Sequence, residues 1–210
     1  MDYSWLHAPA GQVPETAQSL LGWEITAGGV RIRLTEVEAY AGTGEDPASH
    51  AHRGPTPRTR VMFGPAGYAY TYFVFGVHWC LNIVCAPEGE ASAVLLRAGE
   101  VVDGVDIARK RRGDKVLDRD LARGPARLVV ALGVSASANG TSMLDGEGPL
   151  LLTPPTRPVP RSAISAGPRV GVAAAHDVPW RFWITGDATV SAYRRHSPRR
   201  RAAKAVEDET

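Results

Sequence analysis

Residues 67–83 read GYAYTYFVFGVHWCLNI, a ribbon dense in Tyr, Phe, Val and Ile and broken near its middle by Gly76. β-Branched and aromatic side chains suit a pleated, half-buried surface, and a glycine between two such runs signals a hairpin. Two strands are therefore predicted, over residues 68–75 and 77–86, with Phe75 and Val77 at the tip. The run 69–86 has the length of a membrane span, but it contains Gly76, His78 and Asn82, and its composition favours paired strands over a helix in lipid. Alternation puts Tyr70 and Tyr72 on one parity and Phe73 and Phe75 on the other. A ring at a hairpin tip beside glycine is hard to bury, which makes Phe75 a candidate wedge into a base stack.

The second constraint is Val30–Tyr40, where Val30, Ile32 and Leu34 share one parity with Glu36, Glu38 and Tyr40. A regular strand would run an apolar row into two carboxylates and a phenol, which is odd for a core face. A carboxylate beside aromatic side chains can serve as a general base on water. The plainer reading of a single glutamate is a surface ion pair, and Glu36 competes with Glu38 for the role. Elsewhere, residues 14–21 read as a helix with Pro14 in its first turn, residues 103–112 as a helix capped by Asp103, and Gly124–Pro125 open a helix ending near Gly133. Strands are expected at 93–97, 150–153, 168–174 and 181–185, and a loop at 41–59.

With 210 residues and no linker composition, the chain is expected to form one domain over residues 1–193, followed by a basic and then acidic tail, 194–210, without apolar periodicity. The net charge of +2 hides an asymmetry: the first 48 residues hold two arginines against seven acids, the remainder twenty-two basic against fifteen acidic residues. Arg53, Arg58 and Arg60 sit among Gly, Pro and Thr, a composition that leaves backbone N–H groups free for phosphate; a solvated face is the ordinary alternative. Arg123 and Arg169 flank Gly/Pro turns and are candidates for either phosphate contact or a structural role. His50, His52 and His78 lack metal-ligand spacing, so no metal is expected, and His50 is read as hydrogen-bonding in a polar pocket. Cys80 and Cys85 lie an odd number of positions apart on one strand and should face opposite ways, which rules against a disulfide between them. No Walker, Rossmann or GxSxG pattern appears, so no cofactor is expected. The N-terminus lacks the pattern of a secretory signal, which points to the cytoplasm.

Taken in order, TEVEAY, the histidine before RGPTPRTRVMFGPAGYAYTYFVFG, then CLNI, VLLRAGE, LARGPARL and GPRVGV resemble the successive blocks of the alkyladenine (3-methyladenine) DNA glycosylases of the mammalian type, over roughly residues 14–190. The resemblance implies a single-domain α+β fold: a curved, mostly antiparallel β-sheet with packed helices and a protruding β-hairpin inserted into the minor groove. It implies a monomer acting on double-stranded DNA at the nucleoid, with a damaged purine flipped into the pocket. Carried over by position, Glu38 resembles the catalytic base, with Arg97 and the carbonyl of Val170 holding the attacking water. Tyr40 and Tyr72 resemble the pair that clasps the base, with His50 at its edge and Asn82 against the purine 2-amino group. A positively charged alkylpurine would then gain cation–π stacking on both tyrosines. At the hairpin tip the family commonly has tyrosine where Phe75 stands, which keeps a flat wedge and loses a hydroxyl. Lys110, Lys115 and Lys204, the only lysines, fall outside the motif stretch, so no amine nucleophile is expected and the enzyme should be monofunctional. The rival reading is a non-catalytic lesion-binding module.

Overall fold

The computed structural model describes residues 2–74 and 76–196. Strands β1 (Glu24–Ala27), β2 (Val30–Tyr40), β3 (Ala69–Val74), β4 (His78–Cys85), β5 (Ser92–Asp103) and β6 (Leu151–Thr153) form a curled sheet in the order β3-β4-β5-β2-β1-β6. Two further strands, β7 (Ile164–Gly167) and β8 (Arg181–Ile184), complete it, and β8 pairs with residues 36–38 of β2. Every pairing is antiparallel. The β1–β2 connection is Gly28–Gly29 with φ of +53° and +77°, the left-handed pair that a two-residue hairpin requires. The unpredicted β1 follows from that turn.

Helices α1 (Val13–Ser19) and α3 (Pro125–Leu132) cover one face of the sheet. Both have proline in the first turn, where a missing N–H is harmless. Val13 and Ala17 of α1 and Leu128, Val129, Ala131 and Leu132 of α3 join Val30, Ile32, Leu34, Val94 and Leu96 in the main core. Helix α2 (Val105–Arg112) is capped by Gly104 rather than by Asp103, because β5 stays paired with β2 out to Asp103. A smaller cluster on the opposite face gathers Tyr70, Val84 and Ala93 under Ala51 and Met62 of the loop region.

The odd row on β2 is resolved by a double irregularity. The β2–β5 pairing runs Leu34 with Gly99, Glu36 with Ala98 and Val37 with Leu96, which leaves Thr35 and Arg97 without partners. An extra residue in a strand switches the side chains beyond it to the other face. The core row therefore continues as Val37, Ala39 and Ala41, all fully buried. Glu36, Glu38 and Tyr40 are turned to the face away from the helices.

The strand expected at 168–174 is instead a loop, and the strand that pairs with β8 is Ile164–Gly167. Pro168 has no N–H to give a ladder, and the N–H of Val170 bonds a side chain, Glu38. The strand expected at 93–97 extends to twelve residues. The hairpin forms with Val74 opposite His78; Gly76 has a φ of +72° and Val77 is 64% exposed, while Phe75 lies outside the described residues. Cys80 and Cys85 are both free and buried, Cys85 in the helix-side core and Cys80 in the opposite cavity. Of the tail, residues 194–196 are described and have no regular structure; the rest lies outside the described residues. Among the described residues no helix is long and apolar enough to cross a membrane.

Gly99 sits where β2 and β5 change register, and a Cβ there would stand 2.4 Å from both the Arg33 carbonyl and Ile32 Cγ2. Gly99→Ala is expected to destabilise by about 1–3 kcal/mol, the usual range for overpacking, and to lower Tm by about 2–10 °C. Gly11→Ala, with open space around it, is the control. Equal melting curves for the two variants would show that the register change tolerates a side chain.

Candidate active site

Glu36 and Glu38 are both 0% exposed, so each charge must be met inside the protein. Glu36 Oε1 accepts from Arg97 Nε at 2.9 Å, Arg181 Nε at 2.6 Å and Ser191 Oγ at 2.9 Å, while its Oε2 accepts from the Ser191 N–H at 2.6 Å. Burial alone would push its pKa up, but the charges of Arg97 and Arg181 and these hydrogen bonds outweigh it and hold the carboxyl below its ordinary value. Glu38 is less fully paired. Its Oε1 accepts from the Val170 N–H at 2.7 Å and lies 3.3 Å from Arg97 Nη1, and its Oε2 accepts from Tyr40 Oη at 2.9 Å. Arg97 thus bridges the two carboxylates; it is buried, yet their charges raise its pKa. Glu36 is the structural glutamate, and Glu38 is the one that lines a cavity.

That cavity is about 510 Å³, within the range of small-molecule sites, and its wall brings together Glu38, Tyr40, His50, Tyr72, Asn82, Arg97 and Val170. Burial, then the Glu38 charge, raises the Tyr40 pKa well above its ordinary value, so the phenol stays protonated as the donor to Glu38. Burial, then the neighbouring Cys80 thiol, does the same for Tyr72. The His50 ring stands edge-on to Tyr72 at 4.6 Å, with Nδ1 3.1 Å from Tyr70 Oη and Nε2 3.4 Å from Arg58 Nη2. Arginine can only donate, so Nε2 accepts and the proton sits on Nδ1. Desolvation, then the Arg58 charge, lowers the His50 pKa to about 4, which keeps the ring neutral at neutral pH. Asn82 Nδ2 donates to the Tyr70 carbonyl at 2.9 Å, and this fixes the amide at the cavity wall.

The expected phosphate arginines Arg53, Arg58 and Arg60 are all exposed, and Arg58 lies over the Tyr72 ring, 5.5 Å from its centroid. Arg169 is not a phosphate ligand: its side chain is fully buried. It donates to Asp46 through two nitrogens at 2.6 and 2.8 Å and to the Ala39 carbonyl at 2.9 Å, with Cζ over Tyr40 at 4.7 Å and over Trp180 at 5.3 Å. Asp46 also accepts from the Ala48 and Ala41 N–H groups, so one ion pair ties loop 41–49 to the loop carrying Val170. Asp46, Arg181 and Ser191 were missed by the sequence reading. Only Asp46, an acid before proline in a turn-rich stretch, had a local signal. Arg123 donates to the Val190 carbonyl and Asp120, and with Arg97, Arg127 and Arg194 it borders a second cavity of about 380 Å³ beside the start of α3.

A fully buried carboxylate in the wall of an aromatic-lined cavity, next to arginine-lined surface, suits cleavage of a bond between base and sugar, and similarity to known proteins places the chain in the class of hydrolases that cut it, the DNA glycosylases. The chain belongs to the methylpurine-DNA glycosylase family, whose model matches residues 8–188. It is similar to proteins carrying the provisional name 3-methyladenine DNA glycosylase in Nocardia farcinica (50% identical, 92% of each chain covered) and Streptomyces avermitilis (51%, covering 91% of this chain and 92% of the relative). A relative of the same name from Cutibacterium acnes is 52% identical, covering 90% of this chain and 98% of the relative.

Glu36→Gln leaves two buried guanidiniums short of a counter-charge and is expected to cost about 3–5 kcal/mol. Because the folded pKa of Glu36 is depressed, its contribution to stability is present above the unfolded value of about 4.3 and lost as pH falls through the lower folded value. Urea midpoints measured from pH 7 downward should therefore fall less steeply in acid for Glu36→Gln than for the unaltered protein. Parallel curves would remove Glu36 from the account.

Proposed function

We propose that this protein is a monofunctional glycosylase of the mammalian-type alkyladenine branch. In this reading it flips damaged purines from duplex DNA and hydrolyses their N-glycosidic bond, leaving an abasic site. The lesions proposed are 3-methyladenine, 7-methylguanine, hypoxanthine and ethenoadenine. It would act as a monomer at the nucleoid, as one domain ending near residue 193.

The observation that carries the reading is Glu38: a carboxylate with no solvent exposure, held by three donors, in the wall of a cavity that also contains Tyr40 and Tyr72. Flipping a purine loses a few kcal/mol of stacking and pairing, least for a damaged base. Stacking in the slot returns about 1–3 kcal/mol. Glu38 positions and deprotonates water and offsets the positive charge that develops on the sugar as the bond breaks. Its fixed donors keep the carboxylate aimed without reorganisation. Arg97 and the Val170 carbonyl are the proposed holders of that water; the Val170 amide is the end that touches Glu38. His50 and Asn82 meet the edge of the base. Phe75 is the proposed wedge; Phe73 and Val77, two positions away in the sequence on either side, are exposed. Arg53, Arg58 and Arg60, with the arginines of the second cavity, supply the positive surface that a phosphate backbone needs.

Glu38→Gln should lower single-turnover release of hypoxanthine by about 10²–10⁴-fold, the range for loss of a general base, while lesion-duplex binding is retained. Unchanged release would remove Glu38 from the chemistry, and only absence of release by the unaltered protein together with lesion binding would leave the lesion-binding reading. Strand nicking by the unaltered protein, without added base or heat, would contradict monofunctional action.

A further inference from the structure

We propose that Arg169, buried beneath Tyr40, sets the base slot against positively charged bases and in favour of neutral ones. The inference rests on the reading of the slot as the base site.

An aromatic ring attracts a cation through the negative potential of its faces. A guanidinium already lying over one face draws on that potential and leaves the opposite face less attractive to a second cation. Arg169 occupies one face of Tyr40 in this way, with Cζ 4.7 Å from the ring centroid. Its side chain is fully buried, so solvent ions do not screen it. Asp46 balances its formal charge but bonds the terminal Nη atoms at the guanidinium edge, while Cζ is the atom that stands over the ring. Among the described residues Arg169 Nε has no hydrogen-bond partner, so none of them draws charge away at that atom.

The rest of the slot does not restore a negative surface. Glu36 and Glu38 are matched by Arg97 and Arg181. His50 is neutral, and a further cation, Arg58, stands 5.5 Å over Tyr72. The cation–π gain expected for alkylated purines is therefore opposed mainly at Tyr40, since Arg58 is exposed and solvent screens it. This division is chemically coherent. A cationic base has a weakened glycosidic bond and departs with little help, whereas a neutral lesion must be held, and the slot is built to hold it.

The test compares single-turnover kcat/KM for hypoxanthine and for 7-methylguanine in matched duplexes, so that intrinsic reactivity cancels between proteins. In the double variant Asp46→Asn with Arg169→Gln, the hypoxanthine preference should fall by about fivefold or more. In Asp46→Asn alone, which leaves the Arg169 charge uncompensated, the preference should rise. A purely structural role would depress both substrates and leave their ratio unmoved. Ratios within twofold of the unaltered protein, or shifts of one sign in both variants, would overturn the proposal. If thermal melting shows the double variant unfolded, the direction of the Asp46→Asn shift decides alone. Absence of release of either base by the unaltered protein would instead refute the reading of the slot.

Discussion

Two carboxylates two positions apart on one strand face, both out of contact with water, repel each other and lose their hydration; neither can remain ionised there unaided. Arg97 answers both, with Nε on Glu36 and Nη1 near Glu38. Much of the surrounding structure serves this arrangement. Arg181 comes from β8 and Ser191 from beyond it, and both meet Glu36, so the C-terminal part of the chain is tied to β2 through one side chain. Glu36, fully satisfied, is fixed. Glu38 has fewer partners and faces a cavity.

The fold places that pair by separating the two faces of the sheet. Helices α1 and α3 close one face with an aliphatic core, while loop 41–49 and the residues around Ala51 and Met62 partly cover the other. The covering loop is anchored from below by Asp46 and Arg169 rather than by apolar packing alone. A cavity can persist on that side because its walls are held by charge-assisted bonds and by strands, which do not need the space filled.

The sequence made the hairpin legible because aromatic alternation around Gly76 is a local signal, and the helix ends were legible from proline and glycine. The cavity-lining carboxylate Glu38 was legible only as an anomaly, an apolar row that turned acidic. Its cause was not visible: nothing in TEVEAY announces that Thr35 goes unpaired, since that depends on Arg97 going unpaired sixty-two positions away. Residues 168–174 looked like a strand by composition, but the demand of Glu38 for an amide donor took precedence over ladder pairing. Likewise Arg169 beside Gly/Pro turns looked available to phosphate, and only its tertiary neighbours show it enclosed. Of the residues the resemblance named, Glu38, Tyr40, His50, Tyr72, Asn82, Arg97 and Val170 line one cavity; it did not reveal how the carboxylates are kept charged.

The unpaired residues at Thr35 and Arg97 form a compensated pair, one on each strand, so the pairing returns to frame beyond them. Deleting either alone would put the two strands out of phase and exchange inside for outside along half the sheet. Length at this point can therefore change without loss of phase only by two simultaneous events, one on each strand, so the two bulges behave as a single unit.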